Sequence, residues 1–219
     1  MTSRWERWSP LAGILAVAGM IIAFAVGGST PDTNDSDTKI TNYFAGHSHQ
    51  VRQIVAFFVF LAGLLFLLWF LSILRARLVA AEGGTGRLGA FAYGSGVASV
   101  VSWFAAIALF VGPAVTVNDT GKFHLDPNLY RIFNDTGYLF WVGAVVIAAL
   151  VVWATSAVAL RTGLLPRWFA WLGVLVGVLQ LFAIFFIPAF IYWGWIVVAS
   201  LLLTWRPAGW GAATAAPPA

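Results

Sequence analysis

Long apolar stretches alternate with short polar ones along this chain, and the apolar stretches are too unbroken to be single faces of soluble helices. Four of them, at 10–28, 54–74, 90–115 and 138–160, consist almost wholly of apolar or small side chains. A helix rises about 1.5 Å per residue and the hydrocarbon core of a bilayer is about 30 Å thick, so roughly 20 such residues cross it. A fifth stretch, 168–205, carries no charged side chain at all and is too long for one ordinary crossing. Pro188 falls within it, where a missing N–H and a ring clash favour a break. The pattern therefore predicts two spans there, 169–187 and 189–205, joined by a tight turn. A single kinked helix is the alternative, giving five spans in place of six. The fold class is all-α: a polytopic transmembrane helical bundle forming one domain over residues 1–206. The small, proline-tipped tail 207–219 reads as disordered.

Charge fixes an expected orientation. With the N-terminus in the cytoplasm, the inner set is Arg4, Arg7, Arg75, Arg77, Arg87, Arg161, Arg167 and Arg206, and the outer set is Lys39, Arg52, Lys122 and Arg131. That division obeys the positive-inside rule and puts both termini in the cytoplasm. Glu6 and Glu82 fall inside, whereas Asp32, Asp35, Asp37, Asp119, Asp126 and Asp135 fall outside. Aromatic rings follow the same scheme. Trp5, Trp8, Trp168, Trp171, Trp205 and Trp210 lie near inner span ends, and Tyr43, Tyr138 and Trp141 near outer ones. The small-x-small triplet Ala23-Phe24-Ala25 after Arg4 and Arg7 also allows a cleaved signal, which would remove the first helix.

Composition narrows the function classes. The chain is 61% hydrophobic and 9% charged, so it belongs in a membrane, and the plasma membrane is the expected one. Its net charge of +4 is spread among short loops, which excludes a nucleic-acid face. Cysteine is absent, which removes disulfides, thiolate metal sites and thiol nucleophiles. No ionisable residue lies near the middle of a span, which argues against proton- or ion-driven transport and against haem held between helices. The glycine-rich segment 82–87 lacks the Gly-Lys-Ser/Thr element of a phosphate loop and reads as a flexible connection.

The candidate sites that remain are polar. Gly173 and Gly177 form a GxxxG pair suited to close helix contact, within the chain or with a second copy, and Gly94, Ala98, Ser102, Ser95 and Ser99 form small-residue stripes. Gln180, one turn beyond Gly177, needs a hydrogen-bond partner in hydrocarbon, which a serine or threonine on a neighbouring helix would supply. In the first outer loop Ser36 is positioned to cap a short helix carrying Ile40, Tyr43, Phe44 and His47. In the second, Asp126-Pro127 starts a helix running through Tyr130 and Phe133 into the fourth span, with Arg131 and Asp135 spaced to pair. Asp37, His47, His49, Arg52, His124, Asp126, Arg131 and Asp135 thus form a candidate outer-face polar cluster. Imidazole and carboxylate suit zinc, but a lone His47-x-His49 on a helix aims its rings apart, so no metal, cofactor or catalytic residue is assigned. The two loops resemble each other in Asn34-Asp35 before Lys39 and Asn118-Asp119 before Lys122. Residues 10–88 and 89–166 accordingly read as repeated hairpins, with 167–206 a shorter third.

Several local patterns run through nearly the whole chain: Trp8-Ser9-Pro10-Leu11-Ala12-Gly13, Pro31-Asp32 with Ser36-Asp37, Leu74-Arg75-Ala76-Arg77 with Ala81-Glu82-Gly83-Gly84, and Leu160-Arg161-Thr162-Gly163-Leu164-Leu165-Pro166-Arg167-Trp168 leading to Trp171-Leu172-Gly173. In these the chain resembles a broad group of uncharacterised small multi-pass membrane proteins of actinobacteria. The resemblance implies a fold and a membrane location but carries no catalytic residues. The sequence thus favours a non-enzymatic component that is an accessory subunit or binds a small ligand or lipid, with membrane lipids as its partners. A transporter or permease subunit is the alternative, with a polar cavity near Gln180, Ser99 and Ser102. A membrane enzyme acting on lipid or quinone from the outer face ranks below both.

Overall fold

The computed structural model describes residues 8–120 and 123–205. Expectations resting on Arg4, Trp5, Glu6, Arg7, Lys122, Arg206, Trp210 and the tail 207–219 fall outside the described residues. Among the described residues there are seven α-helices: α1 (Ala12–Gly27, entered by the 3-10 turn Ser9–Leu11), α2 (Asp37–Ala45), α3 (His47–Glu82), α4 (Arg87–Asp119), α5 (Pro127–Thr162), α6 (Arg167–Gln180) and α7 (Ile187–Trp205). Five of these, α1 with its entry turn and α3, α4, α5 and α7, are long and apolar enough to cross a membrane; α6 is apolar but shorter. α3, α4 and α5 overrun their predicted spans because each continues past the bilayer-length apolar stretch into the polar ends.

Each long helix packs on the next in order, α1 on α3, α3 on α4, α4 on α5 and α5 on α6, and α7 returns to pack on α1. The chain therefore reverses at two ends. At the loop end lie residues 28–46 and the connection from α4 to α5; at the short-turn end lie 83–86 and 163–166. Local chemistry sets these reversals. α3 and α5 both stop at a glycine in the left-handed conformation, Gly83 (φ 64°) and Gly163 (φ 71°), which other residues adopt only with strain. The Glu82 carboxylate accepts from the N–H groups of Leu88 (3.1 Å) and Gly89 (2.6 Å), satisfying donors that the start of α4 leaves open. Ser36 and Asp126 cap α2 and α5 as their positions in the sequence suggest.

The two halves of the chain repeat. α3 and α5 are each 36 residues long. A single offset relates His47 to Pro127, Gly83 to Gly163 and Arg87 to Arg167. In the first half α1 crosses α3 backbone to backbone at Gly19 and Gly63. In the second half α4 crosses α5 at the residues related by that same offset. There Ser99 donates to the Ala144 carbonyl (2.7 Å), and Ser102, one turn on, donates to the Phe140 carbonyl (2.9 Å). The serine stripes thus serve helix packing, as in other membrane bundles.

Two expectations about the last apolar stretch need correction. The break does not fall at Pro188. α6 ends at Gln180, a 3-10 turn covers Ala183–Phe185, and α7 begins at Ile187, so Pro188 lies in the first turn of α7. Its missing N–H costs nothing there, because first-turn N–H groups have no intrahelical partner. The reversal is made instead at Phe186, a non-glycine residue at φ 63°. Gln180 is fully buried, and among the described residues neither its Nε2 nor its Oε1 finds a partner, so no described serine or threonine answers it. Gly173 and Gly177 are occupied inside the molecule. A Cβ at Gly173 would sit 2.2 Å from Ser156 Oγ, and one at Gly177 would sit 2.1 Å from Trp153 Nε1, both on α5.

Candidate functional site

The loop end is held by one arginine. Arg131, in the first turns of α5, donates through Nε to the Thr33 carbonyl (2.9 Å) and through a terminal nitrogen to the Asp35 carbonyl (3.0 Å). The same terminal nitrogen pairs with Asp37 Oδ1 at 2.8 Å, and the other donates to Asn128 Oδ1 (3.1 Å). Next to it, the Tyr130 hydroxyl donates to the Pro31 carbonyl (2.6 Å). Residues 28–36 therefore form a strap that leaves α1 and is tied down on α5. α2 follows the strap and buries Ile40 and Phe44 against Ala114, Leu125 and Tyr130.

The candidate polar cluster is only partly assembled. Arg131 and Asp37 meet, but Arg131 does not pair with Asp135. Arg52 donates to the Val26 carbonyl (3.1 Å) at the end of α1, and neither Asp37 nor Asp135 is its partner. Asp126 is spent on its capping bond to the Asn128 N–H. His49 stacks on the Tyr43 ring with centroids 4.4 Å apart, while His47 and His124 are exposed. No group of three histidine or acidic side chains able to hold a metal converges among the described residues. Asp35 carries an ion pair with Lys39 (2.7 Å), and the hydrogen bond from that ammonium holds its carboxyl below the ordinary aspartate range. Because the pair is exposed, it adds little to stability.

Cutting the Arg131 tie has a definite expected result. In an Arg131→Gln chain the strap loses two carbonyl partners and an ion pair. Hydrogen bonds from charged donors are worth about 1.5–3 kcal/mol each where water is excluded, while the pair to Asp37 is largely exposed and contributes below about 1 kcal/mol. Limited proteolysis within 28–36 should accelerate at least about tenfold, the ratio corresponding to ~1.4 kcal/mol, while α-helical circular dichroism is unchanged. Equal cleavage rates would mean that the strap is held by something else.

Beneath the strap lies a cavity of about 280 Å³ between α1, α3, α4, α5 and the 181–186 turn. Its wall and floor are aromatic: Phe24, Phe57, Phe60, Phe110, Tyr138, Trp141 and Phe186. Gln53, Thr30, Tyr130 and Asn134 give it a neutral polar collar, and no charged side chain lines it. No protein-family model matches this chain, and neither a curated protein nor a solved structure matches it. The site is therefore read from its own chemistry.

Trp141 anchors the floor. It is fully buried, whereas its position in the sequence suggests an interfacial ring. Trp103 meets it edge to face at 4.1 Å, Phe186 stacks on it at 4.7 Å and 13°, and Phe24 and Trp193 approach at 5.6 and 6.2 Å. The indole nitrogens of Trp103, Trp141 and Trp193 find no acceptor among the described residues. The Tyr138 hydroxyl donates to the Ile184 carbonyl and fixes the turn that carries Phe186. Gln180, Ser99 and Ser102 do not line the cavity.

None of the cavity residues is charged, which is why charge-led reading of the sequence passes over them. The available signal was a repeated spacing. The spacing of Gln53, Ala56, Phe57 and Phe60 on α3 recurs in Asn134, Gly137, Tyr138 and Trp141 on α5, one residue out of register with the offset that relates the helix ends. Apart from Gly137, all of these line the cavity.

Proposed function

We propose that this is an integral plasma-membrane protein of six spans that binds a neutral membrane-borne amphiphile in the cavity at its loop end, without catalysing a reaction. The observation that carries this reading is the cavity itself. Ligand sites are concave, mostly apolar, and furnished with a few polar groups that set orientation, and this one has that composition at the junction of two repeated halves. A charged headgroup would lose its hydration there with no ion to replace it, which favours a neutral occupant.

The six-span reading is supported by depth. The Tyr138–Ile184 hydrogen bond sets the 181–186 turn level with the start of the fourth predicted span, and α6 begins at Arg167, just past the end of α5. α6 and its 3-10 extension thus cover the depth that α5 covers. Arg75, Arg77, Arg87, Arg161 and Arg167 gather toward the short-turn end, which supports a cytoplasmic placement of that end and an outward-facing cavity.

Full-length protein purified in mild detergent should carry a stoichiometric neutral adduct in native mass spectrometry. Ile107 lines the cavity, so an Ile107→Trp chain should lose the adduct while keeping its fold. A bare wild-type mass, or an adduct indifferent to Ile107→Trp, would refute the binding reading.

A further inference from the structure

The two walls of the cavity are chemically equivalent, and their hydrogen-bond accounts say what the occupant must bring. On α3, Gln53 Nε2 spends its hydrogens on the Gly27 carbonyl (3.1 Å) and the Tyr43 hydroxyl (3.0 Å). A primary amide nitrogen has only two, so Gln53 retains its carbonyl oxygen alone. On α5, Asn134 Nδ2 donates to the Tyr130 hydroxyl (3.0 Å), repeating the amide-to-phenol bond of the first half. Tyr130 has already given its hydrogen to Pro31, and Tyr138 has given its own to Ile184. The Thr30 hydroxyl is spent on the Tyr130 oxygen, so what remains for an occupant is mostly acceptor: Gln53 Oε1, Asn134 Oδ1 and the Tyr138 oxygen, against one spare Asn134 N–H. Neither amide oxygen is among the fully buried side-chain atoms that lack a partner among the described residues.

We propose, building on the cavity reading above, that the ligand presents a hydroxyl donor between these carboxamides and lays an unsaturated or ring-bearing apolar body against Phe57, Phe110 and Tyr138. Two kinds of neutral membrane molecule share this chemistry, a lipid alcohol and a reduced quinone. An occupant bearing only acceptors would face oxygen with oxygen and leave buried groups unpaired, a mismatch that sites built on hydrogen bonding reject strongly. A cation would find aromatic faces but no carboxylate, so its desolvation would be met only in part.

The test uses matched probes on the full chain in nanodiscs, read by displacement of the co-purified adduct and by tryptophan fluorescence. Farnesol is set against farnesyl methyl ether, and ubiquinol-1 against ubiquinone-1, so that each pair differs in donor hydrogens while its body stays nearly the same. In at least one pair the hydroxyl form should bind about tenfold or more tightly, equivalent to ~1.4 kcal/mol. Whichever pair shows the preference names the source. Gln53→Met and Asn134→Leu should each shrink the preference to about threefold or less, since a single neutral hydrogen bond is worth roughly 1 kcal/mol, while leaving the apolar partner's affinity in place. Equal binding within both pairs overturns the donor assignment but spares the cavity reading. So does tighter binding of tetradecyltrimethylammonium, or an adduct that is sensitive to Ile107→Trp yet displaced by no probe. The cavity reading itself falls only with the adduct experiment described above.

Discussion

A Gly63→Leu chain should lose about 3 kcal/mol or more of stability, the upper end of what overpacking costs, and should fail to retain ligand. The reason is the kind of atom in the way. A Cβ at Gly63 would lie 2.9 Å from the Ala16 carbonyl oxygen and 3.2 Å from the Met20 nitrogen, both backbone atoms of α1. No rotamer change relieves that contact, so α1 must move off α3, and with it Phe24 and the origin of the strap. Two other glycines serve as controls. Gly94 has open space where its Cβ would go, and at Gly143 the nearest atom is Ser102 Oγ at 3.5 Å, ordinary contact. Alanine at either should be within about 0.5 kcal/mol of wild type, or more stable by up to about 1 kcal/mol from helix propensity. Equilibrium unfolding in mixed micelles, followed by circular dichroism, measures all three. A wild-type midpoint for Gly63→Leu would contradict the backbone-to-backbone crossing.

Trp141→Ala is the second large effect, at about 3–5 kcal/mol, the range for removing a buried indole. The loss comes from the ring stack and not from bilayer solvation, because Trp141 is fully enclosed by Phe24, Trp103, Phe186 and Trp193. Trp168→Ala removes an indole that is 58% exposed and should change stability by no more than about 0.5 kcal/mol. Trp141→Phe should recover most of the stability while altering the fluorescence response to ligand. Comparable unfolding of the two alanine variants would show that the central rings do not act as a core.

These contrasts also explain what was legible in the sequence. Helices α1, α3, α4, α5 and α7 announce themselves because bilayer-length apolar runs are a global property of the chain. The caps Ser36 and Asp126 are equally plain, since a cap depends on residues two or three apart. Pro188 misled because a proline signals either a break or a helix start, and only tertiary packing decides between them. At the actual reversal Phe186 stacks on Trp141, a contact between residues distant in sequence. The polar cluster drew attention through its charge, yet Arg131 secures the strap and Asp126 a helix end. The cavity stayed hidden because phenylalanine, tyrosine and a lone carboxamide look alike whether they face lipid or a ligand. Only the recurrence of Gln53…Phe60 as Asn134…Trp141 distinguished them.

The strap belongs to one half alone. The two cavity walls are similar and run in the same direction, so a perfectly twofold pocket would accept its guest in either of two poses half a turn apart about the bundle axis with equal weight. Residues 28–36 and α2 cover only one approach, and they have no counterpart of similar length between α4 and α5. That imbalance abolishes the degeneracy. Under the proposed reading a guest would have one facing about the bundle axis, with its head under the strap, so a repeated scaffold yields a site with a defined front and back.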